Sequence, residues 1–219
     1  MFYGAAQVSK DVDLALLASE ENFSRLMAAL GDLNAKRIAV PKFDPALLAR
    51  GHAVHFRCAA PGVEDMRIDV MTCFRDVPPF SVLWERRTVI ANDEGGEFNL
   101  LSIPDLVDTK KTQRMKDWPI IELLVAIHSR ENSAAPRTDW LEFWLREGRS
   151  PELLAELTER FPEEARAQSA RRPLLRLAFS GDSEALDAEV RAEQAKDRAY
   201  WAPLKAELEA FRREEGQSS

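Results

Sequence analysis

The sequence predicts a mixed α/β unit followed by an all-helical stretch, and three observations predict it. From Val12 to about Ile103 the apolar residues keep switching between alternation by two and helical spacing. From Asp117 onward only helical spacing recurs. Hydrophobic residues make up 45% and charged residues 31% of 219, enough apolar material to bury a core. The reading is an α/β domain over 1–117 and a helical region over 118–219, with no internal repeat or low-complexity tract.

Each element has its own signal. In the strand starting at Asp11, Val12, Leu14 and Leu16 fall on one side and leave Asp11 and Asp13 together on the other. Ser19 followed by Glu20 and Glu21 caps a helix whose stripe is Phe23, Leu26, Met27 and Leu30, with Gly31 as its stop. A short strand is expected from Arg37 to Val40. The stretches His52 to Cys58 and Met66 to Cys73 flank a turn near Pro61 and Gly62 and read as an antiparallel hairpin. That centring puts Asp69 opposite His55, with Val54, Phe56, Ile68 and Val70 on the apolar face. Asp69 then shares a wet face with Arg57 and Arg67. After a short helix around Phe80 to Arg86, Thr88 to Ile90 and Phe98 to Leu101 bracket Asn92 to Gly96 as a second hairpin, which closes the sheet.

Ser102, with Pro104 and Asp105 in the first turn, opens a helix through Leu106 and Val107 to Lys110 and Lys111. Ile120, Leu123, Leu124 and Ile127 form one helical stripe, Trp140, Phe143 and Trp144 another, and Trp201, Leu204, Leu208 and Phe211 a third. Glu131 to Arg137 reads as a loop, and Gly216 to Ser219 as a frayed end.

Net charge is -7, from 30 basic and 37 acidic residues, which argues against gripping nucleic acid mainly through its phosphates. The acidity is uneven, 15 basic against 17 acidic residues through Asp117 and 15 against 20 beyond it. No apolar run approaches membrane-spanning length, so no membrane partner is expected. Two cysteines, with neither a cationic leader nor an apolar signal core, predict a reduced cytoplasmic setting.

The chemistry-bearing pattern is Asp11-Val-Asp13 on one strand with Asp69 on another. Oxygen-only ligands at close quarters suit Mg²⁺, and paired divalent ions serve phosphoryl transfer by activating a hydroxyl and neutralising a leaving pyrophosphate. Fifteen aspartates in this length give about one Asp-x-Asp by chance, and a solvated strand face would show the same alternation. The context sharpens the pattern: a strand with a clean apolar side, an acidic-capped helix after it, and Arg67-Ile-Asp69-Val70 further on.

With these residues in view, Tyr3-Gly-Ala-Ala-Gln-Val-Ser-Lys-Asp-Val-Asp-Leu14 resembles the nucleotidyltransferase superfamily, particularly its small bacterial and abortive-infection toxin-type members. Arg67 to Val70 resembles the third-carboxylate strand. Ser102 to Lys110, with Arg114-Met-Lys-Asp117, resembles the helix that closes over the nucleotide. The resemblance spans about residues 3 to 127. It implies a nucleotidyltransferase-like mixed sheet with flanking helices, and transfer of a nucleotide from a nucleoside triphosphate to a hydroxyl of an unidentified acceptor. It further implies Mg²⁺ held by Asp11, Asp13 and Asp69, phosphate contacts from Lys110 and Arg114, and a cognate antitoxin as partner. A catalytically impaired scaffold that binds a nucleotide or a partner protein is the alternative. Lys111, Arg114 and Lys116 are weaker phosphate candidates than Lys110, since basic residues at a helix end also complement its dipole.

One departure bears on that choice. The family places a Gly-Gly or Gly-Ser phosphate cradle at the end of a strand a short way before the Asp pair, and a chain beginning at Met1 has no room for both. The expectations are a start assigned downstream of the true one, which is preferred, or a truncated and impaired protein. A missing strand would leave an exposed sheet edge, an aggregation liability.

Alternation sends His52 and His55 to opposite strand faces, so no joint metal site is expected. Cys58 and Cys73 read as separate buried thiols, His128 as structural, and Trp140 and Trp144 as packing. Arg171-Arg172 and Arg212-Arg213, lying among glutamates, read as solvated charge.

Overall fold

The computed structural model describes residues 3–4, 11–91, 95–176 and 183–217. Parts of three expectations lie outside them: residues 5–10 leading to the Asp pair, residues 92–94 of the second hairpin, and residues 218–219 of the chain end. The described residues form two compact units. One holds 11–91, 95–100 and 199–217, and the other holds 3–4, 101–176 and 183–198.

The first unit is mixed α/β. Its elements are β1 (Asp11–Ala15), α1 (Glu20–Asp32), β2 (Lys36–Arg37), α2 (Pro45–Ala49), β3 (Val54–Arg57), β4 (Arg67–Met71), α3 (Phe80–Arg86), β5 (Thr88–Ala91) and β6 (Glu97–Leu100). The main sheet runs β1-β4-β3-β2, with β1 parallel to β4 and the other neighbours antiparallel. The β3–β4 hairpin takes the register expected from the turn at Pro61 and Gly62: Val54 faces Val70, His55 faces Asp69 and Phe56 faces Ile68. Alternation then sends Val54, Phe56, Ile68 and Val70 into a core shared with Leu26, Leu30, Leu48 and Cys58.

The helix caps follow the sequence. The Ser19 hydroxyl accepts the Asn22 N–H at 3.2 Å, and α1 runs one residue past Gly31 before Asn34 turns at φ 46°. Helix α2 is too short to show a period; Asp44 caps it by accepting the Ala46 N–H at 2.8 Å, and Pro45 opens it. Strand β2 covers only Lys36 and Arg37, against the expected run to Val40. The second hairpin forms a two-stranded sheet of its own. Val89 and Phe98 are both nearly half exposed, whereas Thr88 and Ile90, on the other face of β5, are half-buried.

The second unit is helical: α4 (Ile103–Lys110), α5 (Trp118–Asn132), α6 (Thr138–Glu147), α7 (Pro151–Arg160), α8 (Pro162–Gln168) and the first part of α9 (Ser183–Gln217). Its core gathers Val107, Ile121, Leu124, Val125, Phe143, Trp144, Leu145, Leu154 and Leu157. Leu124, Phe143 and Trp144 come from the expected stripes, whereas Leu123 is exposed. Helix α5 runs through Asn132, shortening the expected loop to 133–137. Helix α9 continues through Gln217, so Gly216 is helical where fraying was expected. No helix among the described residues is long and apolar enough to cross a membrane.

Candidate functional site

The parallel pairing of β1 with β4 is what brings the three aspartates onto one surface. Asp13 is the register partner of Asp69, and Asp11 that of Arg67. Partners on adjacent strands share a face at a strand spacing of about 4.8 Å. Across β4, Asp69 faces His55 and Arg67 faces Arg57, which in turn faces Lys36. The wet side of the sheet therefore carries two rows, Lys36-Arg57-Arg67-Asp11 and His55-Asp69-Asp13, with its cationic end on β2 and β3 and its anionic end on β1.

The two rows are tied together at one oxygen. Asp69 Oδ1 accepts the Arg67 Nε–H at 2.7 Å and lies 2.8 Å from His55 Nδ1. Arg67 Nη2 also lies 3.1 Å from that Nδ1. A single ring nitrogen cannot donate to Asp69 and accept from Arg67 at once, and the charge-assisted contact with the carboxylate is the stronger one, which puts the proton on Nδ1. Burial pushes the Asp69 carboxyl up, but the hydrogen bonds from His55 and Arg67, with their charges, outweigh it and hold the group below the usual carboxylate range. Arg67 moves the opposite way. Its hydrogen bond to Asp69 raises it against some desolvation, and the charges of Asp69, Asp11 and Asp13 all add to the rise. One guanidinium thus feels all three aspartates.

The donor set suits Mg²⁺ in chemistry, being all carboxylate oxygen, and the register sets Asp13 beside Asp69. Asp11 and Asp13 are exposed, while the Asp69 side chain is 18% exposed. Among the described residues no group of three His, Cys, Asp or Glu side chains is gathered closely enough to hold a metal ion. By register Asp13 and Asp69 share one face on neighbouring strands, while Asp69 Oδ1 is turned toward Arg67 and His55.

Lys110 and Arg114 belong to the second unit. Lys110 ends α4 and makes no ion pair among the described residues. Arg114 Nε donates at 2.7 Å to Asp117, a buried carboxylate that also accepts the Thr112 hydroxyl. Lys111 has a structural use: its ammonium lies 2.6 Å from Asp108 and 2.9 Å from Glu147.

That last contact opens onto a network the sequence did not announce. Glu147, 2% exposed, meets Lys111, Arg146 and Arg149, while Arg172 pairs with Glu189 and donates to the carbonyls of Leu145 and Gly148. Arg172 is buried, which corrects its reading as solvated charge: it satisfies the carbonyls where α6 ends. The one sequence signal for this network was the arginine density around Glu147, which surface charge also produces.

The histidines separate as alternation required. His55 lies on the wet face, whereas His52 is buried and its Nε2 lies 2.7 Å from Glu207 of α9. His128 accepts the Trp144 indole N–H at 2.8 Å amid Trp140, Phe143 and Trp144. Both cysteines are free thiols, Cys58 buried and Cys73 half-buried. Comparison of the chain with protein-family models, with curated proteins and with solved structures yields no match.

Proposed function

We propose that the α/β unit is the carboxylate-bearing part of a Mg²⁺-dependent nucleotidyltransferase, which moves a nucleotide from a nucleoside triphosphate to a hydroxyl of an acceptor. The observation that supports it is Asp13 beside Asp69 on parallel neighbouring strands, with Asp11 on the same face and a packed core behind. In the reaction the acceptor oxygen bonds to the α-phosphorus, the bond to the leaving pyrophosphate breaks, and the hydroxyl proton passes to a base. When bound, Mg²⁺ neutralises phosphate charge and lowers the pKa of the attacking hydroxyl. By the resemblance, Asp11, Asp13 and Asp69 supply the hard oxygen ligands, which requires the three carboxylates to gather more closely than they do in this structure. By the resemblance, Lys110 and Arg114 bind phosphates; Lys110 suits this as a point charge, while Arg114 is engaged by Asp117.

The acceptor class is a small molecule, a protein hydroxyl or an RNA end, the last least favoured by a net charge of -7. A cognate antitoxin is the proposed protein partner, and the cytoplasm the proposed compartment, where two free thiols stay reduced. A second reading has its own observation. Asp69 is satisfied by Arg67 and His55, as it would be in a catalytically impaired scaffold that binds a nucleotide or a partner protein.

The deciding experiment is the melting temperature with and without Mg²⁺ and each nucleoside triphosphate. A ligand of the native state at 100 times its dissociation constant adds about 2.7 kcal/mol. A Mg²⁺-dependent rise with a triphosphate, followed by pyrophosphate release with a suitable acceptor, supports the transferase. A rise with no turnover across all three acceptor classes supports the scaffold. No rise with any triphosphate refutes both nucleotide-binding readings.

A further inference from the structure

We propose that His55, its ring held by Asp69, is a nucleophile that takes the nucleotide from a triphosphate and carries it as a covalent adduct on Nε2. The inference rests on the transferase reading and splits that transfer into two steps. It asks nothing of Asp69 beyond the bonds it makes in this structure. Of the two ring nitrogens, Nδ1 lies 2.8 Å from Asp69 Oδ1 and carries the proton, which leaves the lone pair on Nε2. Nε2 makes no hydrogen bond among the described residues and, unlike His52 Nδ1, is open to solvent. The His55 side chain is 24% exposed, so a reactant can reach it. Asp69 is in turn fixed by Arg67 Nε at 2.7 Å. A fixed carboxylate thus orients a ring whose other nitrogen is free to attack, the arrangement that activates an imidazole.

The other two histidines are built differently. His52 is buried and meets Glu207 through Nε2, and His128 Nδ1 accepts the Trp144 indole N–H. Beside the His55 ring, 3.1 Å from Nδ1, stands Arg67 Nη2, part of a guanidinium suited to phosphate oxygens. In the first step the Nε2 lone pair bonds to the α-phosphorus, the bond to the bridging oxygen breaks, and pyrophosphate leaves with the electron pair. The positive charge that the ring acquires faces the Asp69 carboxylate across the Nδ1–H. In the second step an acceptor hydroxyl oxygen bonds to phosphorus, and the N–P bond breaks with its pair returning to Nε2. The hydroxyl proton passes to Nε2 and then to water. A chain that works this way reacts with the triphosphate before any acceptor binds.

The test incubates the full chain with Mg²⁺ and each ribonucleoside triphosphate, without acceptor. Samples taken from seconds to hours are quenched in alkali, where N–P bonds survive, and adducts are mapped by mass spectrometry. The expected result is a His55 peptide heavier by one nucleoside monophosphate group, formed in step with pyrophosphate release and lost in acid. His55→Gln keeps an N–H donor for Asp69, so it should keep the melting-temperature rise with a triphosphate while its labelling falls more than about a hundred-fold. Mapping on the parent chain gives the answer even where the glutamine variant fails to fold. A melting rise with no adduct at any time, or with an adduct on another residue alone, overturns the inference and leaves nucleotide binding standing. Labelling of His55→Gln at the parent rate overturns it too. Neither a rise nor an adduct with any triphosphate overturns the transferase reading, and this inference with it.

Discussion

The carboxylate of Glu147 accepts the Lys111 ammonium at 2.9 Å in a setting where Glu147 is only 2% exposed. Burial alone would push this acid up, but Lys111 and Arg149, together with the hydrogen bonds from Lys111 and Arg146, bring it down to about 2. A carboxyl held below its unfolded value of 4.5 contributes stability that is fully present above that value and is lost as pH falls toward 2. Integrated over that interval the loss is on the order of 3 kcal/mol. Glu147→Gln should cost about 3 to 5 kcal/mol at pH 7, because it leaves cations buried without their anion. Urea unfolding at pH 7 and pH 3 reads both. A variant as stable as the parent at pH 7 would show that the network is solvated.

His128 and Trp144 make the opposite kind of pair. Burial lowers His128, with the charges of Glu131 and Asp139 acting against it, and its Nδ1 must stay unprotonated to accept the indole N–H. The neutral ring therefore contributes stability that is present above the unfolded value of 6.5 and is lost as pH falls through the lower folded value. Titration followed by NMR should place His128 below 6.5, and a midpoint at or above it would refute the assignment. Trp144→Phe removes the donor and leaves a gap at a fully buried position, at a cost of about 2 to 4 kcal/mol in thermal unfolding.

What the sequence disclosed follows from which interactions are periodic. The β3–β4 register was legible because a turn at Pro61 and Gly62 and an alternation with Val54, Phe56, Ile68 and Val70 admit one pairing, and a one-residue slip would bury Asp69. The same alternation put Asp11, Asp13 and Asp69 on wet faces. It did not say that β1 runs parallel to β4, since that pairing joins strands far apart in sequence and no turn fixes it. Arg67, read as one more residue of that face, donates to Asp69, because alternation gives a residue's side of the sheet and not its hydrogen bonds. The Glu147 network was hidden for a related reason. Buried and solvated arginines look alike in sequence, and what separates them is the packing of Lys111, Arg146, Arg149 and Arg172 around two carboxylates, Glu147 and Glu189.

Two glycines offer an internal control on backbone strain. Gly51 sits at φ 100°, and a β-carbon there would lie 2.6 Å from the Tyr200 hydroxyl oxygen, whereas Gly62, at φ 86°, would place its β-carbon in open space. Both substitutions incur the positive-φ penalty of about 1 kcal/mol, and only Gly51→Ala adds a clash beside buried His52 and its Glu207 partner. Gly51→Ala should therefore be the more destabilising by about 1 to 2 kcal/mol in urea unfolding. Equal losses would mean that Tyr200 moves aside without cost.

Asp13→Asn separates function from folding at the proposed site. Asp13 is exposed, lies on the edge strand of the main sheet and faces away from the core that Ile68 and Val70 build. Removing its charge should leave the melting temperature without ligand within about 2 °C, as surface substitutions usually stay within roughly 0.5 kcal/mol. The same change removes one of two adjacent hard-oxygen ligands, so any Mg²⁺-dependent gain with a nucleoside triphosphate should vanish. Asp69→Asn should also abolish that gain, but with a loss of folding stability, because Asp69 accepts from Arg67 and His55 and is held below the usual carboxylate range. That contribution is present above the unfolded value of 3.8 and is lost as pH falls through the lower folded one. Thermal unfolding of both variants at pH 7, with and without ligand, distinguishes the two roles, and a gain that survives Asp13→Asn would refute the assignment of Asp13 as a metal ligand.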